Sequence, residues 1–200
     1  MIIALSSEIS VMSAVSQILW KDKKIAYIDT ASIWQWWDMS WREKQIEAIE
    51  KEFWKIFRYS IEWKKISDFE RDLQDFDILH IGWWNTAYLL YHIKKTWFDK
   101  YLRAIQNSKD IVGSSAGAVV LWSSIEHIKS LDDFSVVKLE NYNGIWFVSF
   151  DIMVHFWKEK YRESYRKSFD IAYNSSTKWV YLDDNSYIIS HETGIQICNV

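Results

Sequence analysis

The sequence predicts an α/β fold: a largely parallel sheet sandwiched by helices, in a single domain spanning residues 1–200. Three observations carry this. From Met1 to Leu121, short apolar runs alternate with segments whose apolar residues recur at helical spacing, the pattern of a parallel sheet with right-handed crossovers. At Ile111–Val120 one such run passes through Gly113-Ser114-Ser115-Ala116-Gly117 into a small-residue segment able to start a helix. That is a strand–tight turn–helix with a G-x-S-x-G core, a nucleophile elbow. Finally, 200 residues suffice for one sizeable core, and no repeat, low-complexity tract or linker divides them.

Met1–Ser6 reads as the first strand, and Glu8–Leu19 as a helix with Ile9, Met12, Val15, Ile18 and Leu19 on its apolar positions. Trp20–Lys24 is a polar turn, Lys24–Ile28 a buried strand, and Asp29–Ser32 the loop after it, crowded by Trp34, Trp36 and Trp37. Asp38 or Ser40 caps a long helix running to about Phe57. A short strand is expected between Ile61 and Ile66, and an acidic helix over Ser67–Gln74. Asp77–Ile81 is a further buried strand, followed by helices over Ala87–Lys95 and Phe98–Asn107, with Trp97 in the turn between them. Beyond Leu121 the pattern changes. Short strands are expected at Val136–Leu139, Trp146–Ser149 and Ile152–Val154, a helix over Glu159–Tyr173, and closing strands at Trp179–Leu182, Tyr187–Ser190 and Ile195–Ile197.

Composition excludes several classes. The net charge is -3 and no basic tract stands out, which argues against nucleic acid as a partner. One cysteine, Cys198, allows neither an internal disulfide nor a cysteine–histidine metal cluster. The apolar start lacks a basic flank and is interrupted by Glu8, so it reads as a strand and not a signal peptide. No apolar run approaches the roughly 20 residues that span a bilayer. A cytoplasmic protein with no membrane partner, no metal and no cofactor is the expectation; the oligomeric state is left open. Three counts are unusual: Trp 14, Gly 5 and Pro 0. A chain of this length ordinarily holds roughly 14 glycines. Either exposed tryptophans form platforms for flat ligands such as sugars, or tryptophan stands where glycine belongs.

At the elbow, Ser115 occupies the tip of a strained turn with its hydroxyl exposed, and the N–H of Ala116 points where an oxyanion would form. A serine nucleophile needs a base, and the base an orienting carboxylate. Of five histidines, His80 lies within a strand and reads as core, while His92 and His127 read as surface. His155 follows Ile152-Met153-Val154 at a strand end, and His191 lies near the C-terminus. Carboxylates after the elbow are Asp132, Asp133, Asp183 and Asp184. Spacing permits Ser115–His155–Asp184, and equally Ser115–Asp184–His191, which has the chain order of α/β-hydrolases.

Four segments together carry a resemblance: Gly113–Gly117; Ile81-Gly82-Trp83-Trp84-Asn85-Thr86 with Tyr88-Leu89-Leu90 after it; Val154-His155-Phe156; and Leu182-Asp183-Asp184-Asn185-Ser186. In this order they resemble peptidase family S51, which includes aspartyl dipeptidases and cyanophycinases, over nearly the whole chain. The resemblance implies an α/β sandwich related to class I glutamine amidotransferases. It implies a serine peptidase acting on small peptides, among them dipeptides with N-terminal aspartate, with no cofactor. It makes Ser115 the nucleophile, His155 the base and Asp184 the orienting acid, where the family carries a glutamate one methylene longer. The oxyanion donors would be the backbone N–H groups of Trp84 and Ala116. Asn85, Asp132, Arg162 and Arg166 would meet the substrate, an arginine being suited to bidentate pairing with a carboxylate.

The departures from the family pattern share one character. The family's G-G-G-N is here Gly82-Trp83-Trp84-Asn85, and Trp97, Trp122 and Trp146 also fall where glycine is usual. Genetic codes differ on UGA, some reading tryptophan and others glycine. The positions favour that decoding explanation over ligand platforms, and predict UGA codons at 83, 84, 97, 122 and 146. Two alternative functions remain: an α/β-hydrolase-type esterase using His191, and a catalytically inert binding protein with a tryptophan-lined pocket.

Overall fold

The computed structural model describes residues 1–34, 40–53, 56–147, 150–173, 178–191 and 194–200. Four strands form the parallel frame that holds the elbow: β1 (Ile2–Leu5), β2 (Ile25–Ile28), β4 (Ile78–Ile81) and β5 (Asp110–Ser114). Apart from their first residues they are buried on both faces, and their apolar runs do not alternate, as a sheet covered on both sides demands. With β3 (Ile56–Tyr59), β8 (Ser186–His191) and β9 (Gly194–Asn199) they make a seven-stranded sheet in the order β3-β2-β4-β5-β1-β8-β9. The first five of these are mutually parallel, while β8 runs antiparallel to β1 and β9 antiparallel to β8. A separate parallel pair joins β6 (Phe150–Met153) to β7 (Lys178–Tyr181).

Two apolar layers flank the large sheet. On one face α1 (Glu8–Leu19) and α3 (Ser40–Glu52) bury Val11, Met12, Val15, Leu19, Ile46 and Ile49 against Ile3, Leu5, Ile25 and Val112. On the other, α4 (Ile66–Asp72), α5 (Thr86–Thr96), α6 (Phe98–Ile105) and α7 (Ala116–Val120) pack Phe69, Leu89, Ile93, Phe98, Leu102 and Val119 on Ala4, Ile28, Leu79 and Ile111. Closest approach occurs at α7. A Cβ on Gly117 would sit 2.0 Å from the Ile81 carbonyl oxygen, so only glycine lets the elbow helix lie against the end of β4. The chain then runs through irregular segments and short 3₁₀ turns to β6, and on to α8 (Arg162–Tyr173). Among the described residues no helix is long and apolar enough to cross a membrane.

Several expectations need correction. The third strand is Ile56–Tyr59, not a segment between Ile61 and Ile66: it is an edge strand whose Arg58 disguises it, while Ile61 is buried with its N–H on Thr30 Oγ1 at 3.0 Å and Ile66 opens α4. The helix expected to reach Phe57 therefore ends at Glu52. The loop after β2 contains a helical turn, α2 (Thr30–Ile33). No strand forms at Val136–Leu139, because the Asp133 side chain accepts the Ser135 N–H at 2.8 Å and turns the chain into a 3₁₀ segment, Phe134–Val136. Trp146 and Phe147 are not in a strand. The expectations placed on Trp36, Trp37, Asp38, Val148 and Ser149 lie outside the described residues.

His92 and His127 are not at the surface. His92 is 4% exposed on α5 between the rings of Tyr88 and Tyr91, and His127 is 1% exposed with Nε2 2.8 Å from the Ile152 carbonyl oxygen. Burial pushes the pKa of both downward, so both are held as neutral rings. A single polar residue on a helix or turn gives no sign of which way it faces.

Candidate active site

The site lies at the carboxyl ends of β1, β4 and β5, where ligands of open parallel sheets bind. Ser115 follows β5 with φ 49° and ψ -110°. Its N–H donates to the Leu5 carbonyl at 2.9 Å and its carbonyl accepts the Val119 N–H at 2.9 Å, so the strained turn is clamped from both sides. Beneath it, the Ser114 hydroxyl donates to the buried Glu8 carboxylate, which lies 3.5 Å from His80 Nε2.

His155 follows β6, also with positive φ, at 58°. Its Nε2 lies 2.9 Å from Ser115 Oγ, and its Nδ1 2.6 Å from Asp184 Oδ1. With Nδ1 protonated toward Asp184, Nε2 is the acceptor for the serine hydroxyl. The ring is fixed further by its own backbone. The His155 N–H donates to Ser6 Oγ at 2.7 Å, and the Tyr165 hydroxyl donates to the His155 carbonyl. Ser6 in turn donates to Asp184 Oδ1 at 2.8 Å. Burial pushes the Asp184 carboxyl upward, but the hydrogen bond and charge of His155, with Lys158 and Ser6, outweigh it and hold the pKa well below the usual carboxylate range. Asp184 is thus a carboxylate throughout the physiological range, with Lys158 paired to its second oxygen.

A cleft of about 420 Å³ opens over Ser115. Its walls include Trp83, Trp84, Asn85, Ala116, Asp132 and His155. Asp132 Oδ2 accepts the Thr86 N–H at 2.7 Å; burial, opposed by that bond, pushes its pKa up to about 6. Asn85 reaches the cleft wall but its amide is committed: Oδ1 accepts the Tyr88 N–H at 2.8 Å as the α5 cap, and Nδ2 donates to the Asp133 carbonyl at 2.8 Å. It braces two loops, with one amide N–H and one oxygen lone pair not used in these bonds.

Two expected substrate contacts are displaced. Arg162 and Arg166 stand on the solvent face around α8, 77% and 76% exposed, paired with Glu159 and Glu163. Among the described residues, Lys158 and Lys160 line the cleft. His191 is also removed from the site. It ends β8, whose Ser190 lies opposite Ile2 at the start of β1, whereas the elbow lies beyond the other end of that strand. Sequence reasoning missed Ser6 and Lys158. Ser6 could have been suspected as the first residue past a parallel strand that neighbours the nucleophile strand. Lys158 has no such signal. Among the described residues no group of three histidine, cysteine or acidic side chains could hold a metal ion.

A clamped serine, an imidazole bonded to it and a carboxylate behind the ring, set on a parallel α/β sheet, define the class of hydrolases that work through a nucleophile elbow. The sequence model of peptidase family S51 matches residues 3–198, and the chain belongs to that family. It is 29% identical over 106 residues to the uncharacterized peptidase Lmo0363 of Listeria monocytogenes serovar 1/2a, covering 52% of each chain. A second relative, the uncharacterized peptidase Lin0382 of Listeria innocua serovar 6a, is 29% identical over 112 residues, 55% of this chain and 54% of its own. The match thus spans about half the length of these curated relatives. Among solved structures, a candidate peptidase E protein from Listeria monocytogenes EGD-e superposes with a TM-score of 0.86 at 21% identity, over 100% of this chain and 98% of the other. A peptidase from an acI-B1 Actinobacterium gives 0.72 at 14% identity, over 100% and 87%. These likenesses bear out the fold.

Proposed function

We propose that this protein is a serine peptidase hydrolysing small peptides. The observation that carries this reading is the continuous relay Ser115 Oγ–His155 Nε2 at 2.9 Å and His155 Nδ1–Asp184 Oδ1 at 2.6 Å, opening on a cleft. Ser115 attacks the scissile carbonyl carbon, and His155 takes its proton. The N–H groups of Ala116 and Trp84 receive the developing oxyanion. His155 then protonates the leaving amine, and water, activated by the same ring, cleaves the acyl-enzyme. Asp184 keeps the proton of the ring on Nδ1 and stabilises the imidazolium.

The substrate reading is a dipeptide with N-terminal aspartate, and it rests on the family. Asp132 suits the free α-ammonium group, because it is a carboxylate on the cleft wall with no cation paired to it among the described residues. Lys160 takes over the carboxylate-binding part first given to Arg162 and Arg166. The test is hydrolysis of a panel of Asp-X and other dipeptides, with Ser115→Ala as control and fluorophosphonate labelling of Ser115 alongside. Serine-dependent cleavage of Asp-X is the expected result. Labelling without cleavage of any dipeptide would move the substrate to longer peptides. Absence of both in folded protein, with ligand binding detected by tryptophan fluorescence, would favour the inert binding protein with its cleft lined by Trp34, Trp41, Trp83 and Trp84.

A further inference from the structure

Among the described residues, eight that are not glycine have positive φ, and six of these are tryptophan: Trp20 (70°), Trp63 (62°), Trp84 (126°), Trp97 (62°), Trp146 (61°) and Trp157 (73°). A bulky side chain at positive φ is an outlier, since its Cβ collides with the backbone. At Trp84 the angle lies beyond even the small left-handed region open to L-residues, in territory that belongs to glycine. Two others sit where helices are stopped by glycine: Trp20 at the end of α1 and Trp97 at the end of α5, its N–H returning to Ile93 and Lys94. Five of the six side chains have no pocket, being 71% (Trp20), 80% (Trp63), 53% (Trp97), 52% (Trp146) and 81% (Trp157) exposed.

The chain's own glycines complete the pattern. Gly82, Gly113, Gly117 and Gly144 are held by space, each leaving a Cβ less than 3.0 Å from a neighbour. Gly194 alone has positive φ. Four of the five glycines thus stand where packing forbids a side chain and one, Gly194, at a turn of positive φ, whereas six other positive-φ positions carry tryptophan.

We infer that residues 20, 63, 84, 97, 146 and 157 are glycine in the protein as its host makes it, the codon at each being a UGA that the host reads as glycine. The backbone revises the set expected from sequence. It adds 20, 63 and 157 and keeps 84, 97 and 146. It gives no reason for glycine at 83 or 122, whose φ is ordinary; Trp122 is fully buried with its ring 4.6 Å from that of Phe150. At residue 84 the inference deepens the proposed peptidase: a glycine there frees the loop that offers the second oxyanion N–H and clears an indole from the cleft beside Ser115. At the other five positions it is independent of any activity.

The codons in the source gene are the first test. UGA at the six positions is expected, and UGG there overturns the inference. The second compares melting of the chain as written with a variant carrying Trp→Gly at all six. A rise in Tm of ~10 °C or more is expected, from relief of six unfavourable backbone angles. A control variant with Trp→Gly at 41, 122 and 179, where φ is ordinary, is expected to melt lower than the parent. An unchanged or lower Tm for the six-site variant overturns the inference. Because melting requires no substrate, this outcome is separable from failure of the peptidase reading, which the Ser115-dependent assay reports. Reverting residue 84 alone to tryptophan in the six-site variant is expected to slow fluorophosphonate labelling of Ser115 by tenfold or more.

Discussion

Left-handed backbone occurs in this molecule in two settings, and they differ in what surrounds it. At Ser115 and His155 the strained residues are gripped. Leu5 and Val119 hold the backbone of one, and Ser6 and Tyr165 hold that of the other. At Trp20, Trp63, Trp97, Trp146 and Trp157 the side chain is largely exposed, with Lys95 over the ring of Trp63 and Lys100 over that of Trp97, and the Trp146 N–H donates to the Trp122 carbonyl at 3.0 Å. Strain at a nucleophile elbow is maintained because the surrounding fold over-determines it and the chemistry needs it. Strain at an exposed turn serves no chemistry, which makes the residue type there the anomaly.

The largest effects are expected at the gripped pair. Ser115→Ala is expected to lower kcat by about 10⁶-fold with the melting temperature little changed; residual serine-independent turnover near the parent rate would remove the site altogether. Next comes Asp184→Asn, for which kcat should fall by about 10⁴-fold, because the asparagine no longer selects the tautomer that leaves Nε2 free. Asp184→Glu, which restores the family's residue, should recover much of that loss in the same assay.

A smaller effect is expected at Asp132. Its pKa of about 6 lies above the usual carboxylate value, so it is ionised at pH 7 and neutral below pH 6. KM for a dipeptide with a free amino group should therefore rise as pH falls through about 6. Asp132→Asn should raise KM roughly 10–100-fold at pH 7 and flatten that limb, with kcat nearly unchanged. The stability sign runs the opposite way. A raised carboxyl pKa favours the folded state at low pH, and that advantage is lost as pH rises through about 6. Asp132→Asn should thus melt above the parent at pH 7, and a lower melting point would show that the carboxylate is structural. The smallest effect belongs to the exposed turns: Trp20→Gly is expected to stabilise by about 1 kcal/mol, read as roughly 2–4 °C in Tm, whereas Ser115→Gly, also relieved of its angle, should gain stability and lose activity.

The sequence made the frame legible wherever a residue's role is local. The largely apolar strands at 25–28, 78–81 and 111–114 and the small residues of the elbow announce themselves, because burial on both faces and close approach restrict what can stand there. His155 was legible only through its Val-His-Phe surroundings and the resemblance they carry; spacing alone left His191 equal to it, and the antiparallel course of β8 carries His191 to the end of the sheet away from the elbow. Arg162 and Arg166 looked suited to a substrate carboxylate, but helical phase aims both at solvent. The place of Ser6 just past a strand hints at the site, but its partners do not show in the sequence, since its bonds reach 149 and 178 residues along the chain. Positive φ at the tryptophans is likewise a property of the folded turn, although their excess over glycine in the composition was its shadow.

That reach of Ser6 has a consequence for the life of the chain. During synthesis, Ser115 emerges before His155, the base proposed for it, and His155 before Asp184. A nascent chain that has cleared the ribosome only through Ser115 carries a hydroxyl no more reactive than any other. Even with His155 out, the ring lacks both the carboxylate and the drawn-in hydroxyl that fix it. The competent arrangement is assembled only once Asp184 has docked beside β1. On the proposed triad, delayed assembly would do for this chain what a removable inhibitory segment does for a zymogen, with folding itself as the activating event.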